Sequence, residues 1–327
     1  MGFIENELEE IKKLAERKIP SCKLVCCVKT MVRAEIKFTE YKKIVACMQF
    51  PKNYPESTLL IELKSKTLSE KLIQGLTNVC ETEAKKHLGR PQIMLTLAFL
   101  QNFLIENPLS CCHSEIGNIK RLLVDGVDEL KLKQKSSSIF LSIVHANYFW
   151  NVKFFVPDNY PVLAIELKNA ETNLPPTLRH HIFEQGREMA RQCVEPPLKK
   201  PKPNDPPFKP QPSLEKTACF FINYVKQLPS QVCQFCKEQC LPSDPQLIEK
   251  NEESPRHLER IFCGHLFHQE CLFNYLKTPP FGNKRCGICG EKISHHKWSL
   301  SDKLAENRWA HEQARERELA EVEDFFN

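Results

Sequence analysis

Pro51-Lys52-Asn53-Tyr54-Pro55, followed by Ile61-Glu62-Leu63-Lys64, returns further on as Pro157-Asp158-Asn159-Tyr160-Pro161, followed by Ile165-Glu166-Leu167-Lys168. The copies lie about 105 residues apart, a domain-sized interval, and keep their order, which points to a duplicated unit. One short match arises easily by chance. Two in the same order do not.

The flanking sequence follows the same plan. Ile4, Leu8, Ile11 and Leu14 fall on one face of an opening amphipathic helix. Strand-forming stretches follow at residues 23–32, 34–38, 42–50 and 58–63. In the third, Ile44, Ala46, Met48 and Phe50 alternate as a half-buried antiparallel strand requires. Thr67 and Glu70 make a capping-box pattern ahead of a helix carrying Leu72, Leu76, Val79 and Leu88, with Gly89 at its end. A second helix carries Ile93, Leu97, Leu100 and Leu104 and stops before Pro108.

The order then repeats: a short helix at 114–123, strands at 128–133, 139–145, 149–155 and 162–167, a helix marked by Leu178, Ile182, Met189 and Cys193, and a last one marked by Leu214, Ala218, Phe221, Val225 and Leu228. Between these two helices, residues 195–212 hold eight prolines. That density removes backbone donors and blocks regular structure, so an exposed insert is expected.

Helix, four-stranded meander, Asn-Tyr-Pro turn and closing helices together resemble the RWD domain, a relative of the ubiquitin-conjugating-enzyme fold. The resemblance covers residues 1–110 and 112–229, and both units lack the proline the family places later in that turn. The conjugating enzymes themselves set a catalytic thiol beside an asparagine in a His-Pro-Asn motif after the fourth strand. Lys64 and Lys168 lead into no such motif, and Cys80 and Cys193 sit at helical-core spacing. No catalytic residue is therefore assigned, and both units read as interaction modules.

A different chemistry starts at Cys233. The order is Cys233-x2-Cys236, Cys263-x-His265-x2-His268-x2-Cys271, then Cys286-x2-Cys289, eight thiolate or imidazole donors in all. Two residues between paired cysteines let one tight turn present both sulfurs to one ion, and eight donors fill two tetrahedral sites of the kind structural zinc prefers. Scattered reduced cysteines, or sequential rather than interleaved fingers, are the alternatives that spacing leaves open. Cys240, His257, His295 and His296 lie nearby and are read as bystanders.

The pattern is similar to the RING fingers with two central histidines. In that family the pairs interleave, which implies Cys233, Cys236, His268 and Cys271 for a first zinc and Cys263, His265, Cys286 and Cys289 for a second. The resemblance further implies a ubiquitin-conjugating enzyme as partner, with Phe235, Tyr275, Leu272 and Ile288 in the contact region. It also implies transfer by proximity and orientation, with no covalent intermediate on the RING. Gly287 stands where the family commonly has proline. Gly290, Glu291 and Lys292 stand where active members place a basic residue. A non-catalytic zinc-binding scaffold is the competing reading.

Composition bounds the rest. The 327 residues suffice for two or three domains, and 41% hydrophobic with 27% charged content is ordinary for globular chains. The expected class is α+β: two antiparallel-sheet domains, a RING-type segment at 230–294 and a charged helix at 299–327. A net charge of +5 and a post-Cys271 helix whose basic residue is Lys277 make no case for nucleic acid. No apolar run reaches membrane-span length, and the acidic start is unlike a secretory signal, so cytoplasm or nucleus is expected, with the 16 cysteines reduced. Lys199-Lys200-Pro201-Lys202 resembles a short nuclear-import signal. Substrate or complex subunits are expected to bind through the RWD-like units.

Overall fold

The structure is a computed structural model in which residues 2–39, 41–197, 207–293 and 301–326 are described. By packing, the chain divides into one unit of Met1–Ile143, Trp150–Thr172 and Leu178–Ile222, and another of Val144–Phe149, Asn173–Thr177 and Asn223–Asn327. The class is α+β, with two four-stranded antiparallel-sheet domains, a Cys/His-rich region and a C-terminal helix.

The first domain runs α1 (Phe3–Lys18), β1 (Cys22–Val28), β2 (Met31–Lys37), β3 (Lys43–Gln49), β4 (Leu60–Lys64), α2 (Glu70–Lys85) and α3 (Ile93–Glu106). Its strands pair in chain order. Period-two alternation puts Val32 opposite Met48, Ala34 opposite Ala46 and Ile36 opposite Ile44, all fully buried. Ile11 and Ala15 of α1 and Ile93, Leu97 and Leu100 of α3 complete this core. Each such large side chain contributes about 1.5–3 kcal/mol on leaving water.

Three expectations shift here. Residues 23–32 are not one strand, because a turn at Lys29-Thr30 separates β1 from β2. The cap of α2 is Ser69, whose Oγ accepts from Leu72 N at 3.4 Å. Thr67 instead donates its N–H to Ser65 Oγ, 3.2 Å away. Val79 and Leu88 are exposed, and α2 buries Leu76, Cys80 and Ala84.

The second domain repeats the order. It comprises α4 (His113–Leu122), β5 (Glu129–Lys133), β6 (Ser138–His145), β7 (Tyr148–Phe155), β8 (Glu166–Thr172), α5 (Pro176–Val194) and α6 (Leu214–Gln227). The strands again follow chain order. The fourth strand starts later than residues 162–167 suggest. The Asn159 carbonyl accepts from Val162 N at 2.9 Å and Leu163 N at 3.3 Å, so these apolar residues belong to the turn and are exposed. Leu178, Ile182 and Cys193 of α5 and Leu214, Ala218, Phe221 and Val225 of α6 are buried as spacing predicts. Lys199–Lys202 lies outside the described residues.

The same buried network anchors both domains. Glu7 of α1 accepts from the Tyr54 hydroxyl at 2.5 Å and from Gln92 N and Ile93 N at 2.9 and 3.0 Å. Gln92 N also donates to the Tyr54 oxygen, at 3.0 Å. In the second domain Glu115 accepts from the Tyr160 hydroxyl at 2.7 Å and from Glu215 N at 3.0 Å. The Tyr160 oxygen accepts from Ser213 N and Leu214 N at 2.8 and 3.0 Å. Each carboxylate thus sits at the N-terminus of the closing helix, where unpaired N–H groups and the helix dipole favour negative charge. The repeated tyrosine is therefore a structural clamp.

The Cys/His-rich region adds β9 (Leu258–Arg260), β10 (Leu266–His268) and α7 (Gln269–Lys277), and the chain closes with α8 (Asp302–Phe326).

Candidate metal centre

The two Cys-x2-Cys pairs sit on turns of one design. Val232 bridges Gln239, Cys233 N donates to Glu238 O at 2.8 Å, and Lys237 N donates to Cys233 O at 2.8 Å. Arg285 bridges Lys292, Cys286 N donates to Glu291 O at 2.8 Å, and Gly290 N donates to Cys286 O at 2.6 Å. The residue after the second cysteine is left-handed in both, Lys237 at φ 64° and Gly290 at φ 75°. That conformation lets the chain reverse within one turn and leaves both sulfurs on its inner side.

The central donors come from the hairpin. Cys263 and His265 lie in the β9–β10 connection, separated by Gly264 at φ 96°. His268 ends β10 and stands at the N-cap of α7, and Cys271 lies in that helix's first turn.

Two sets of four donor atoms converge, each within 4.8 Å: Cys233, Cys236, His268 and Cys271 in one, Cys263, His265, Cys286 and Cys289 in the other. The first and third pairs in sequence therefore share one set, and the second and fourth share the other. Sequential fingers would join Cys263 and His265 to Cys233 and Cys236, which is not how these atoms lie. His268 Nδ1 faces Cys236 Sγ at 3.2 Å, while its Nε2 is 3.2 Å from the Gln239 carbonyl. That carbonyl can only accept, so it fixes the proton on Nε2 and leaves the Nδ1 lone pair for the cluster, as outer-shell partners of metal-bound histidine do. His265 Nδ1 lies 3.3 Å from Cys263 Sγ and 3.5 Å from Cys286 Sγ.

Charge explains what the sets require. Burial raises the Cys233 thiol, but the adjacent His268 ring and hydrogen bonds from the N–H groups of Cys236, His268 and Phe235 bring it down to about 6. Burial and the neighbouring Cys233 and Cys236 sulfurs push Cys271 up to about 12. Three crowded thiols cannot all ionise without a cation among them. A set of three sulfurs and one imidazole around a divalent ion removes that conflict and matches the donors zinc prefers.

The expected contact residues divide. Phe235 and Tyr275 are half-buried and stack with ring centroids 4.7 Å apart. Ile288 is half exposed, whereas Leu272 is fully buried and serves packing. Two neighbours are not evident from spacing. Lys284 Nζ lies 4.2 Å from the Tyr275 ring centre and donates to Thr278 O at 2.7 Å. Gln234 lies across Gly287, where an added Cβ would meet its Nε2 at 1.7 Å.

Cys240 is buried beside the first set and bonds Leu266 O at 3.4 Å. Burial first, then the cluster's sulfurs, raise its thiol to about 12. His295 and His296 lie outside the described residues. Trp309 of α8 meets Phe281 at 5.9 Å and Glu312 pairs with Lys277 at 3.8 Å, so α8 packs on this region through few contacts. The hairpin tip Val144–Phe149 packs here too: Tyr148 Oη donates to Pro242 O at 2.6 Å and Asn147 Nδ2 to Ser243 O at 3.2 Å.

Cys80 and Cys193 are buried in helix packing. Burial pushes Cys80 up to about 12 and raises Cys193, the opposite of an activated nucleophile. Among the described residues, no helix is long and apolar enough to cross a membrane.

Comparison with curated proteins gives no match to the chain. Comparison with protein families matches residues 4–104 to the RWD domain. Residues 4–104 are thus an RWD domain, followed by a second antiparallel-sheet domain and by two Cys/His sets able to hold metal.

Proposed function

We propose that the chain is a RING-type ubiquitin ligase factor. In this reading, residues 230–294 form a cross-braced RING that recruits a ubiquitin-loaded conjugating enzyme. The two units at 1–110 and 112–229, the second carrying the proline-rich insert 195–212, bind substrate or complex subunits. Helix α8 (Asp302–Phe326) is an accessory element. The observation that carries the reading is the interleaving of the two donor sets.

Two zinc ions would be held by Cys233, Cys236, His268 and Cys271, and by Cys263, His265, Cys286 and Cys289. Their contribution is structural: they cross-link loops too poor in apolar surface to hold shape alone. The chain's own residues do the rest. The stacked pair Phe235 and Tyr275 offers a partly exposed apolar face, with Ile288 exposed on the second turn. Binding there orients the partner's thioester, and the gain in rate comes from restricted motion.

The repeated Glu–Tyr–helix network supports reading the second domain as RWD-like. Two such units before a RING resemble the ubiquitin ligase subunit of the Fanconi anaemia DNA-repair complex. We place the chain in the cytoplasm or nucleus, where its 16 cysteines stay reduced.

A non-catalytic zinc scaffold is the second reading, favoured by Gly287, where the Gln234 side chain occupies the space a larger residue needs. An autoubiquitination panel with several conjugating enzymes separates the two, comparing wild type, Phe235→Ala and His268→Ala. The ligase reading expects activity in wild type, loss in both variants and zinc retained in Phe235→Ala. A zinc-loaded wild type inactive with every enzyme tested would leave the scaffold.

A further inference from the structure

Cys111 and Cys112 end the one-turn helix Pro108–Cys112 that leads from α3 into α4. Their sulfurs stand 3.8 Å apart. Cys111 is partly exposed and its thiol donates to Pro108 O at 3.5 Å, while Cys112 is fully buried. Neither belongs to a group of three or more donors among the described residues. Two sulfurs without further ligands do not hold a divalent metal, so the chemistry open to them is that of a dithiol.

A buried cation acts on the pair. Lys42 is 1% exposed, and its ammonium reaches Asp158 Oδ1 at 3.1 Å. Asp158 is itself 71% exposed, so water weakens its hold on the Lys42 charge. The hydrogen bond from Cys112 lowers the Cys111 thiol against the effect of burial, and Lys42 lowers it further. The same bond, with burial, raises Cys112. The partly exposed Cys111 reacts once its proton leaves the Pro108 carbonyl, and the buried Cys112 sulfur stands 3.8 Å behind it, the placement an attacking and a resolving cysteine need.

We propose that Cys111 and Cys112 are an oxidation site that hydroperoxides close into a vicinal disulfide. The Cys111 thiolate attacks one peroxide oxygen, forming S–O as O–O breaks, and the departing hydroxide leaves as water after taking a proton from solvent. Cys112 sulfur then attacks Cys111 Sγ. S–S forms, S–O breaks, and the second oxygen leaves as water with the Cys112 proton. Two electrons pass from the sulfurs to the peroxide. Adjacent Cα atoms about 3.8 Å apart fall below the ordinary disulfide span, so the ring is strained and easily reduced.

The tryptic peptide from His87 to Lys120 carries these two cysteines and no other, which isolates them from the Cys/His sets. The full chain is treated with hydrogen peroxide below one equivalent and mapped by mass spectrometry, with the Cys80 peptide from Leu72 to Lys85 as internal control. The expected result is loss of two hydrogens from the His87–Lys120 peptide, reversed by a dithiol reductant, with Cys80 still reduced. Cys112→Ser should stop that loss and leave Cys111 labelled by a 1,3-diketone that traps sulfenic acid. Lys42→Met should slow labelling several-fold. A wild-type peptide that stays reduced while Cys80 oxidises overturns the proposal. So does a Cys112→Ser chain, folded by circular dichroism, that takes no label at Cys111.

Discussion

Tyr160 donates its hydroxyl hydrogen to Glu115 across 2.7 Å, and the Tyr54–Glu7 bond of 2.5 Å repeats the relationship in the first domain. Neither tyrosine is a surface recognition group: Tyr160 is 1% and Tyr54 8% exposed. Removing the Tyr160 hydroxyl leaves the Ser213 and Leu214 N–H groups and one Glu115 oxygen buried without that partner. Tyr160→Phe should therefore cost about 2–4 kcal/mol, since orphaned buried polar groups cost more than an average hydrogen bond. Urea unfolding of both single variants checks it, with Tyr54→Phe expected in the same range.

Glu115 also makes stability depend on pH. Burial raises its carboxyl above the ordinary 4.5, opposed by the hydrogen bonds from Glu215 N, Tyr160 and Leu214 N. A raised folded value favours the protonated form. Its contribution is full below the unfolded value and is lost as pH rises through the folded one. Wild type should lose stability relative to Glu115→Gln across that window above 4.5. Denaturation of both proteins at stepped pH tests the sign. A difference that grows in favour of wild type would refute it.

How far the sequence reveals this follows from the range of each interaction. The Asn-Tyr-Pro turn and the alternation of Ile44, Ala46 and Met48 are local and period-bound, so they can be read directly. The carboxylate partners are local in one respect only: Ile4-x2-Glu7-Leu8-x2-Ile11 and Cys112-x2-Glu115-Ile116-x2-Ile119 place each glutamate on the buried face. That spacing is the signal available, but a glutamate on an apolar stripe reads as a solvated residue until its tyrosine is known. The start of β8 is obscured because Val162 and Leu163 are apolar yet held in the turn by Asn159. Among the donors, spacing supplies the pairs, while their grouping depends on contacts up to 38 residues apart, such as Cys233 with Cys271.

Gly186 is where α5 gives way to an aromatic ring. A Cβ there would meet Phe221 Cζ at 2.3 Å. The ring cannot step aside, because it stacks on Trp150 at 5.5 Å and meets Phe154 at 6.1 Å. Gly186→Ala should destabilise the second domain by about 1–3 kcal/mol, the usual range for overpacking a core. Phe221→Leu in the same chain should recover part of that loss, and a double-mutant cycle measures the coupling.

Metal removal should unfold one part of the chain selectively. The first domain's core, Ile11, Ile36 and Leu97 among it, contains none of the eight donors. Structural zinc contributes about 10–16 kcal/mol of folding energy in small finger peptides. A strong chelator should accelerate amide exchange across residues 231–240 and 258–293 while residues 4–104 keep their protection. Elemental analysis should give two zincs per chain in wild type and at most one in Cys271→Ser or Cys286→Ser. Undiminished protection after complete metal removal would contradict the prediction.

The hairpin tip that meets this region is set by its backbone. Ala146 and Asn147 both have positive φ, 47° and 69°, the conformation of a two-residue turn whose twist matches its strands. That turn is what delivers Tyr148, 1% exposed, to the Pro242 carbonyl at 2.6 Å. Burial and the nearby Asp244 carboxylate raise the phenol to about 12, so it remains a donor throughout the neutral range. Tyr148→Phe keeps the ring and deletes the bond, and should cost about 1 kcal/mol. The loss should surface as faster amide exchange around Leu241 and Asp244, with zinc content unchanged, because none of the eight donors is touched. Loss of zinc on this substitution would mean instead that the tip supports the donor loops themselves.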